Sequence, residues 1–512
     1  MHCEQEIAKN LYWIGGDDRR LGIFEGHHPV PYGMAYNNYL LLDEKTVLFD
    51  TIDRAVEERF FETLEYLLSD RELDYIIVQH MEPDHSATLG TVARQHPNAK
   101  LVCTAVCKQL IVQFFGPEFG DRCIVVKDGD SLETGTHTLA FATAPMVHWP
   151  EVMVTYDVED KVLFSADAFG SFGALNGKIF DSDYDFDDEL LDESRRYYTN
   201  IVGKYGTQVK ELLDKADTLD IQLICPLHGP MIRDNIEHFK DKYRLWADYE
   251  PEDQGVVIAY ASVYGGTRDV AEKLALKLSD LGIHDLALFD LSVTDPSYVL
   301  SEAFRVSNIV LASVTYNAGV FPKMNELVDA MVAHNLRRRR FSFIQNGSWG
   351  PIAGKKMMKA IESIPEAEVV GELFTIKSRM RDDQDDELDA LAQAIYDSIA
   401  SPEEEAMAEV HQVAEAPTPI VGAVRPQAAP ATVERVGNVP VAPGAPTPLK
   451  PPVVKKAQPK QETKVIQIWR CTFCGYQAEV PKGTDMSTFV CPVCLRSGEG
   501  QFVLVREKMV PV

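Results

Sequence analysis

Short apolar runs alternate with polar loops along the first half of the chain. Residues 75–78 form an apolar, β-branched run with the length and character of a buried strand. Between Val56 and Leu68 apolar side chains recur at helical spacing, which predicts a helix. Further strands are predicted at residues 38–42, 47–49, 100–104, 123–126, 138–142, 152–156, 162–165 and 221–225, and helical patterns run from about residue 189 to 216. Residues 1–250 are therefore predicted to mix strands and helices in one unit.

The alternation of strands and helices is stricter over residues 255–400. Residues 256–261 form a continuous apolar run of the kind that is buried in a parallel sheet. A helix is predicted from Arg268 to a stop at Gly282. The later strand–loop units and the last helix are predicted at residues 309–317, 341–350 and 388–399. This alternation predicts a doubly wound parallel sheet, with its ligand at the carboxyl ends of the strands.

Two segments of different composition follow. Residues 401–464 contain 11 prolines between Pro417 and Pro459, separated by small and polar residues. Such a segment cannot bury a core, and we expect an extended tether; a proline motif that binds a partner is the alternative. Residues 465–512 are predicted to form a small last unit.

The charge of the chain limits its partners. The 512 residues carry a net charge of −28, which argues against nucleic acid and anionic membrane surfaces as general partners. One basic run, Arg337 to Arg340, opposes this trend at the end of a predicted helix. We interpret it as a solvated cluster that compensates the helix dipole, with a docking patch for an acidic partner as the alternative.

The N-terminal sequence and the cysteines indicate the compartment. The first residues have neither a basic region nor an apolar run, so we expect no signal peptide. No run approaches the ~18 apolar residues that a membrane span needs. Nine cysteines, four of them in two C-x-x-C pairs, fit reduced thiols better than a disulfide framework. The sequence predicts a cytoplasmic protein.

Four potential metal ligands follow the strand at residues 75–78. His80, Glu82, Asp84 and His85 lie within six positions. Two imidazoles and two carboxylates crowded at a strand end are costly to bury without a cation. The alternative is a solvated polar loop.

Three further residues stand at the ends of later predicted strands. His148, Asp167 and His228 each follow an apolar run by one to a few positions. Because strand ends at one edge of a sheet converge in space, we expect these side chains to meet the loop that carries His80. The repetition favours a metal site over ordinary turn residues.

A loop rich in small and hydroxyl residues connects the strand at residues 256–261 to the next helix. Backbone N–H groups and hydroxyls at a helix N-terminus suit a phosphate group. The loop lacks the motifs of nucleoside triphosphate and dinucleotide sites. Tyr316 and Trp349 lie in later loops and could flank a flat ring, or be ordinary loop aromatics.

The tail carries two C-x-x-C pairs separated by 16 residues, which is a strong signal for one metal ion held by four thiolates. These cysteines are Cys471, Cys474, Cys491 and Cys494.

The motif H-x-[HE]-x-D-H, followed by separate His, Asp and His residues, resembles the metallo-β-lactamase fold, an αββα sandwich with a dinuclear site. Hydrolases of that superfamily have histidine where this chain has Glu82, and a carboxylate there moves the preference from zinc toward iron or manganese. That substitution is the pattern of the flavodiiron proteins. The resemblance implies one iron at His80, Glu82 and His148, another at Asp84 and His228, Asp167 as the bridge, and His85 as a non-ligand that could supply protons in catalysis.

The loops of residues 255–400 resemble those of flavodoxin, and the tail resembles rubredoxin, an Fe(Cys)4 electron carrier. The tail departs from ordinary rubredoxins in its short spacer and in Leu495, which replaces a usual glycine, so a structural zinc site is the alternative. The flavodoxin resemblance implies FMN contacts from Ser262, Val263, Tyr264, Gly265, Gly266, Thr267, Ser313, Thr315, Tyr316, Asn317, Asn346, Gly347 and Trp349.

Together these resemblances imply a flavorubredoxin-like reductase of O2 to water, of NO to N2O, or of both. Electrons are expected to pass from the tail iron to FMN and then to the diiron site. No NAD fingerprint is present, so an external NAD(P)H-dependent reductase or another donor is implied, and the family implies a head-to-tail homodimer or homotetramer. The alternatives are a zinc hydrolase with an accessory flavin domain and an electron shuttle whose sandwich is structural.

Overall fold

The computed structural model describes residues 2–399, 463–471, 477–491, 498 and 500–511. Cys474, Cys494 and nearly all of the predicted tether lie outside the described residues. Within the described residues, no helix combines the length and the apolar character needed to cross a membrane.

The first sheet has seven strands in the order β1-β2-β7-β8-β9-β10-β11. The strands predicted at residues 38–42 and 47–49 are present as the antiparallel pair of β7 and β8, and β8 to β11 continue as parallel neighbours. Strands β1 to β11 are Gln5–Ala8, Leu11–Trp13, Gly16–Asp18, Ile23–Phe24, His28–Pro29, Met34–Tyr36, Tyr39–Leu42, Thr46–Phe49, Tyr75–Ile77, Lys100–Cys103 and Cys123–Val125. Helices α1 to α5 are Glu57–Leu68, Pro83–Ser86, Leu89–Gln95, Ala105–Phe115 and Pro117–Gly120.

The second sheet has five strands in sequential order. Strands β12 to β16 are Ser131–Glu133, Thr138–Thr143, Met153–Asp157, Val162–Phe164 and Leu223–Cys225. Helices α6 to α8 are Leu191–Tyr197, Gly206–Ala216 and Ile236–Asp248, with π-helical turns at Phe186–Leu190 and Tyr198–Val202. The pattern between residues 189 and 216 is therefore helical, as predicted, but the helix is interrupted.

Alternation of side chains along the strands builds the core between the two sheets. In β8, Val47 and Phe49 face the second sheet, while Leu48 packs against the outer helices. The rings of Phe49 and Phe164 stack across the interface with centroids 3.7 Å apart. Helices cover both outer faces, so the predicted αββα sandwich is confirmed.

The third sheet is parallel along its main path, β18-β17-β19-β21-β22. In β17, Val256 and Ile258 face α9 and α13, whereas Val257 and Ala259 face α10 to α12. The doubly wound fold is confirmed. Strands β17 to β23 are Asp253–Ala261, Leu286–Asp290, Val306–Tyr316, Gly319–Val320, Arg340–Asn346, Glu368–Val369 and Phe374–Ile376. Helices α9 to α13 are Gly266–Asp280, Pro296–Arg305, Pro322–Ala333, Ala353–Ile361 and Asp385–Ile399.

The tail contributes an antiparallel sheet of β24 (Thr463–Cys471), β25 (Gln477–Pro481) and β26 (Phe502–Pro511) in the order β25-β24-β26. Buried Cys471 and Cys491 belong to an apolar cluster that also contains Met146 of the first unit. The cysteine-bearing end of the tail thus lies against the loop that leads to His148.

Arg339 corrects the interpretation of the basic run as solvated. Its side chain is 0% exposed, and burial lowers its pKa to about 9. The guanidinium donates hydrogen bonds to the carbonyl oxygens of Tyr249, Ala303 and Phe304. It therefore ties the end of the first unit to α10 of the third sheet.

We expect Arg339→Met to lower the free energy of unfolding by about 3 kcal/mol, because several buried carbonyls lose their donor. Urea denaturation measures this change. The matched control is Arg338→Met, since Arg338 is 41% exposed and forms surface ion pairs; a change below about 1 kcal/mol is expected there. Equal effects of the two substitutions would contradict the assignment.

Candidate functional site

The predicted ligands converge at one edge of the sandwich. Residues 79–85 follow β9, Asp167 follows β15 and His228 follows β16, while His148 lies in the loop between β13 and β14. The carboxylate of Asp50 accepts hydrogen bonds from the backbone N–H groups of Gln79 (2.8 Å) and His80 (3.3 Å). This contact fixes the start of the ligand loop.

The first cluster consists of His80, Glu82, His148 and Asp167, whose potential ligand atoms all lie within 4.8 Å of one another. Glu82 Oε2 is 3.3 Å from His80 Nε2 and 2.9 Å from His148 Nε2. Asp167 Oδ2 is 3.1 Å from His80 Nε2 and 3.2 Å from His148 Nε2. Two nitrogens and two oxygens of this kind can hold one metal ion.

The second cluster consists of Asp84, His85 and His228, whose potential ligand atoms also lie within 4.8 Å of one another. The Nε2 atoms of His85 and His228 are 3.0 Å apart, and Asp84 Oδ2 is 3.3 and 3.2 Å from them. Asp167 Oδ1 lies 3.3 Å from His85 and 3.6 Å from His228. One oxygen of Asp167 therefore faces each cluster, as a bridging carboxylate does. His85, expected to be a non-ligand, presents its Nε2 in the same way as His228.

Outer contacts orient the imidazoles. His80 Nδ1 donates to Glu151 Oε1 at 2.9 Å, and the same oxygen accepts the N–H of Met81 at 2.9 Å. His228 Nδ1 donates to the carbonyl of Ala35 at 2.8 Å. Both contacts direct Nε2 toward the centre of the site. Glu151 was not singled out from the sequence, because it follows no strand and belongs to no motif.

The electrostatics favour cations at this site. Burial opposes charge on His80, yet Asp167, Glu151 and Glu82 raise its pKa well above the usual value. Despite burial, the neighbouring histidines hold the pKa of Asp167 well below its usual range. Both carboxylate oxygens of Asp84 and of Asp167 are buried without a hydrogen-bond partner among the described residues. Unsatisfied buried carboxylates of this kind fit metal ions.

The mouth of the site contains Glu25, which follows no predicted strand and belongs to no motif. The carboxyl of Glu25, which is 31% exposed, lies against Glu82, and partial desolvation together with that contact raises the pKa of Glu25 to about 8. The ring of Phe24 packs edge-on against His228, with centroids 5.5 Å apart. Phe24 at the end of β4 and Glu25 in the loop that follows thus cover the predicted ligands.

A cavity of about 890 Å³ lies at the carboxyl ends of the strands of the third sheet. Tyr264 and Trp349 line it and are 99% and 96% exposed. Of the predicted contacts it includes Ser262, Val263, Tyr264, Gly266, Thr267, Thr315, Tyr316, Asn317, Asn346, Gly347 and Trp349. Its volume and its flat-faced aromatic side chains suit a mononucleotide with a planar ring.

Two predicted contacts do not line this cavity. Ser313 is fully buried and its hydroxyl donates to the carbonyl of Val314 at 3.0 Å. Gly265 turns the backbone at φ +92° and its N–H donates to Ser262 Oγ at 3.1 Å. Both support the loop instead of lining the cavity.

Ser378 is a lining residue that sequence reasoning missed. Its backbone N–H donates to Asn346 Oδ1 at 3.0 Å, and its carbonyl accepts from Asn346 Nδ2 at 3.0 Å. The same amide donates to Thr267 Oγ1 at 3.2 Å. Asn346 therefore connects Ser378 to Thr267 at the start of α9, and it also lines the cavity.

The described part of the tail site contains two of the four predicted thiolates. Cys471 and Cys491 are 1% and 0% exposed and lie in one apolar cluster. Gln501 Nε2 donates to Cys471 Sγ at 3.0 Å, as backbone and amide donors do to metal-bound sulfur. Cys474 and Cys494 lie outside the described residues.

Comparisons with known proteins agree with this arrangement. Residues 34–229 match the family described as ODP family beta lactamase. The anaerobic nitric oxide reductase flavorubredoxin of Vibrio vulnificus is 30% identical over 354 residues, which cover 67% of this chain and 70% of that protein. The corresponding flavorubredoxin of Aliivibrio fischeri is 32% identical over 67% of this chain and 69% of its own length.

Solved structures show the same fold. Rubredoxin oxygen:oxidoreductase from Desulfovibrio gigas has a TM-score of 0.73 and 25% identity, over 78% of this chain and 98% of that structure. The flavodiiron protein of Giardia intestinalis has a TM-score of 0.73 and 24% identity, over the same shares of each chain.

We expect His85→Ala to retain about one tightly bound metal ion per chain instead of two, because the second cluster loses one of its three potential ligands. Elemental analysis after reconstitution and desalting measures this number. The control is His238→Ala, which removes a surface imidazole paired with Asp187. Retention of two ions by His85→Ala would return His85 to the role of a non-ligand.

Proposed function

The chain belongs to the flavodiiron family of oxidoreductases, and on that premise we propose that it reduces O2 to water and NO to N2O. The proposal rests on the carboxylate-rich dinuclear site in an αββα sandwich joined to a mononucleotide cavity. The V. vulnificus and A. fischeri relatives are named as nitric oxide reductases, and the D. gigas structure as an oxygen oxidoreductase.

We propose the following ligands for the two iron ions. His80, Glu82 and His148 bind the first, and Asp84, His85 and His228 bind the second. Asp167 would bind both ions, since one of its oxygens faces each cluster. When bound, two ferrous ions act as Lewis acids and electron donors toward a small diatomic molecule.

Glu82 is the residue that favours iron over zinc at this site. It supplies a hard, anionic oxygen where a hydrolase of the same fold supplies imidazole. With Asp84 and Asp167, it gives the pair three carboxylates. Glu151 and Ala35 orient the imidazoles of His80 and His228, and Phe24 covers the site.

The other cofactors are FMN and a single iron in the tail. We propose that the cavity beside Tyr264 and Trp349 binds FMN, with residues 262–267 at its phosphate. The four tail cysteines are proposed to bind the single iron, and the cluster at Met146 supports delivery of electrons from within the chain.

The domains are proposed as residues 1–250, 255–400 and 465–512, with a tether at 401–464.

The assembly and the supply of electrons are further proposals. We propose a cytoplasmic head-to-tail homodimer or homotetramer, fed by an external NAD(P)H-dependent reductase or an equivalent donor.

Anaerobic reduction of the full chain, followed by separate titrations with O2 and NO, tests the reaction. We expect both gases to be consumed, with water and N2O as products, and the ratio of rates identifies the preferred substrate.

Asp167→Ala is expected to lower both rates at least about 100-fold while reduction of the flavin stays unchanged, because the two proposed iron positions lose the carboxylate that they share.

Two outcomes would contradict the proposal. Undiminished gas consumption by Asp167→Ala would favour the electron-shuttle alternative, in which the sandwich is structural. Two zinc ions with hydrolytic activity, and no consumption of either gas, would favour the hydrolase alternative.

We expect Gly266→Ala to weaken FMN binding at least about 10-fold, because a Cβ at this position would lie 2.0 Å from the carbonyl oxygen of Ser378. Fluorescence titration of the flavin-free protein measures the affinity. Gly350→Ala is the matched control, since Gly350 lines the same cavity and its Cβ would meet no atom within 4 Å. Iron content is expected to stay unchanged in both variants.

A further inference from the structure

A third cluster of potential metal ligands lies at the other end of the sandwich. It consists of His137, Asp157 and Glu159, which each offer one ligand atom within 4.8 Å of the other two. At the start of β14, the backbone N–H of Met153 donates to the carbonyl oxygen of Gln79, beside the first cluster, at 3.1 Å. Asp157 ends the same strand, about 13 Å farther along at the usual rise of a strand. The third cluster is therefore separate from the dinuclear site.

Two members of the third cluster are buried and in contact. His137 and Asp157 are 5% and 1% exposed, and His137 Nδ1 lies 2.8 Å from Asp157 Oδ2. Imidazole and carboxylate atoms of the first cluster lie at a similar separation, 2.9 Å for His148 and Glu82. Two ligand atoms on one tetrahedral zinc ion are about 3.3 Å apart, so an opening of this pair by about 0.5 Å admits the ion.

Glu159 supplies the exposed side of the third cluster. Its Oε2 accepts the backbone N–H of Thr138 at 2.6 Å, and its Oε1 accepts the hydroxyl of Thr138 at 3.1 Å. Because Thr138 directly follows His137 in the chain, these bonds hold the carboxylate beside the imidazole. A carboxylate oxygen has two lone pairs, so each oxygen of Glu159 keeps one for a metal ion.

Further hydrogen bonds fix the backbone around the third cluster. Asp157 Oδ1 accepts the N–H groups of Glu159 (3.2 Å) and Asp160 (3.5 Å), which leaves Oδ2 free of backbone donors. Asp43 Oδ2, in the turn between β7 and β8, accepts the N–H of His137 at 3.0 Å. Both ligand-bearing turns are thus held in place by the fold itself, which lowers the cost of ordering them around an ion.

The carboxylates around the third cluster are not balanced by basic side chains. The hydroxyl of Thr138 also donates to Glu133 Oε2 at 3.2 Å, and Asp160 Oδ2 is buried with no hydrogen-bond partner among the described residues. Within that same part of the chain, the carboxylates of Glu133, Asp157, Glu159 and Asp160 form no ion pair with lysine or arginine. A divalent cation offsets this excess of negative charge.

We propose that His137, Asp157 and Glu159 bind a zinc ion that stabilises this end of the sandwich. The imidazole nitrogen favours zinc over calcium and magnesium, which take oxygen ligands. Three protein ligands leave one position of a tetrahedral ion for water or for Asp160. The ion joins the turn before β13 to the turn between β14 and β15, and the inference does not depend on the proposed reductase function.

Zinc binding to the full, iron- and flavin-loaded chain tests the site. After addition of zinc and desalting, elemental analysis is expected to find about one more zinc ion per chain in the native protein than in His137→Gln or Glu159→Gln. An excess of calcium is not expected to displace this ion. Iron content, flavin content and O2 consumption are expected to change less than about 2-fold in both variants, because neither side chain belongs to the dinuclear site or the flavin cavity.

His238→Gln is the matched control. His238 Nε2 also lies 2.8 Å from a carboxylate oxygen, that of Asp187, but these side chains are 44% and 64% exposed and belong to no group of three potential ligands in the described part of the chain. This variant is expected to bind as much zinc as the native chain. Equal zinc contents in the native chain, His137→Gln and Glu159→Gln would overturn the proposal, and release of the ion by calcium would overturn the assignment to zinc.

Two further measurements locate the ion and its effect. Anomalous diffraction at the zinc absorption edge is expected to show a peak between His137, Asp157 and Glu159. Added zinc is expected to raise the Tm of the native chain by at least about 2 °C more than that of Glu159→Gln, which keeps the buried pair intact. Peaks confined to the dinuclear site and the tail cysteines, or equal rises in Tm, would contradict the proposal.

Discussion

The buried carboxylate of Asp167 is the constraint on which the metal site depends. It is 1% exposed and its two oxygens lie 3.1 to 3.6 Å from four imidazole nitrogens. A charge at that depth is costly unless cations or protons compensate it. The sandwich supplies that compensation by ending separate strands at one edge, so that loops far apart in sequence deliver histidines to the same carboxylate.

The third sheet uses the same geometry for a different chemistry. Its parallel strands also end in loops at one edge, but these loops present backbone N–H groups, amides and aromatic rings in place of imidazoles. Gly266 has almost no free space beside its Cα, and Asn346 holds the facing loop through Ser378. The strand ends thus position both sites, and the side chains of the loops decide between metal ions and a nucleotide.

The sequence predicted those parts of the structure that leave a local signal. The apolar runs located the central strands of the three large sheets, whereas short strands such as β1 to β6 were not predicted. The ligand motif located His80 and its neighbours, because a strand end that carries several imidazoles and carboxylates is unusual. Glu25, Glu151 and Arg339 left no such signal. Each is a single charged residue whose role arises only when distant segments pack against it, as the carbonyls of the α8–β17 and α10–β19 junctions do around Arg339.

The net charge of the ligand set explains why the site favours divalent iron. Three carboxylates and four neutral imidazoles give the ligand set a charge of −3, so two ferrous ions leave a net charge of only +1 in the interior. An imidazole in place of Glu82 would leave +2, at a higher cost in a medium of low dielectric constant. Without metal ions the same excess of negative charge draws protons onto His80 and His148, whose pKa values are raised. The carboxylates that favour divalent iron therefore also hold protons on the neighbouring imidazoles when no metal is bound, and metal binding has to displace those protons.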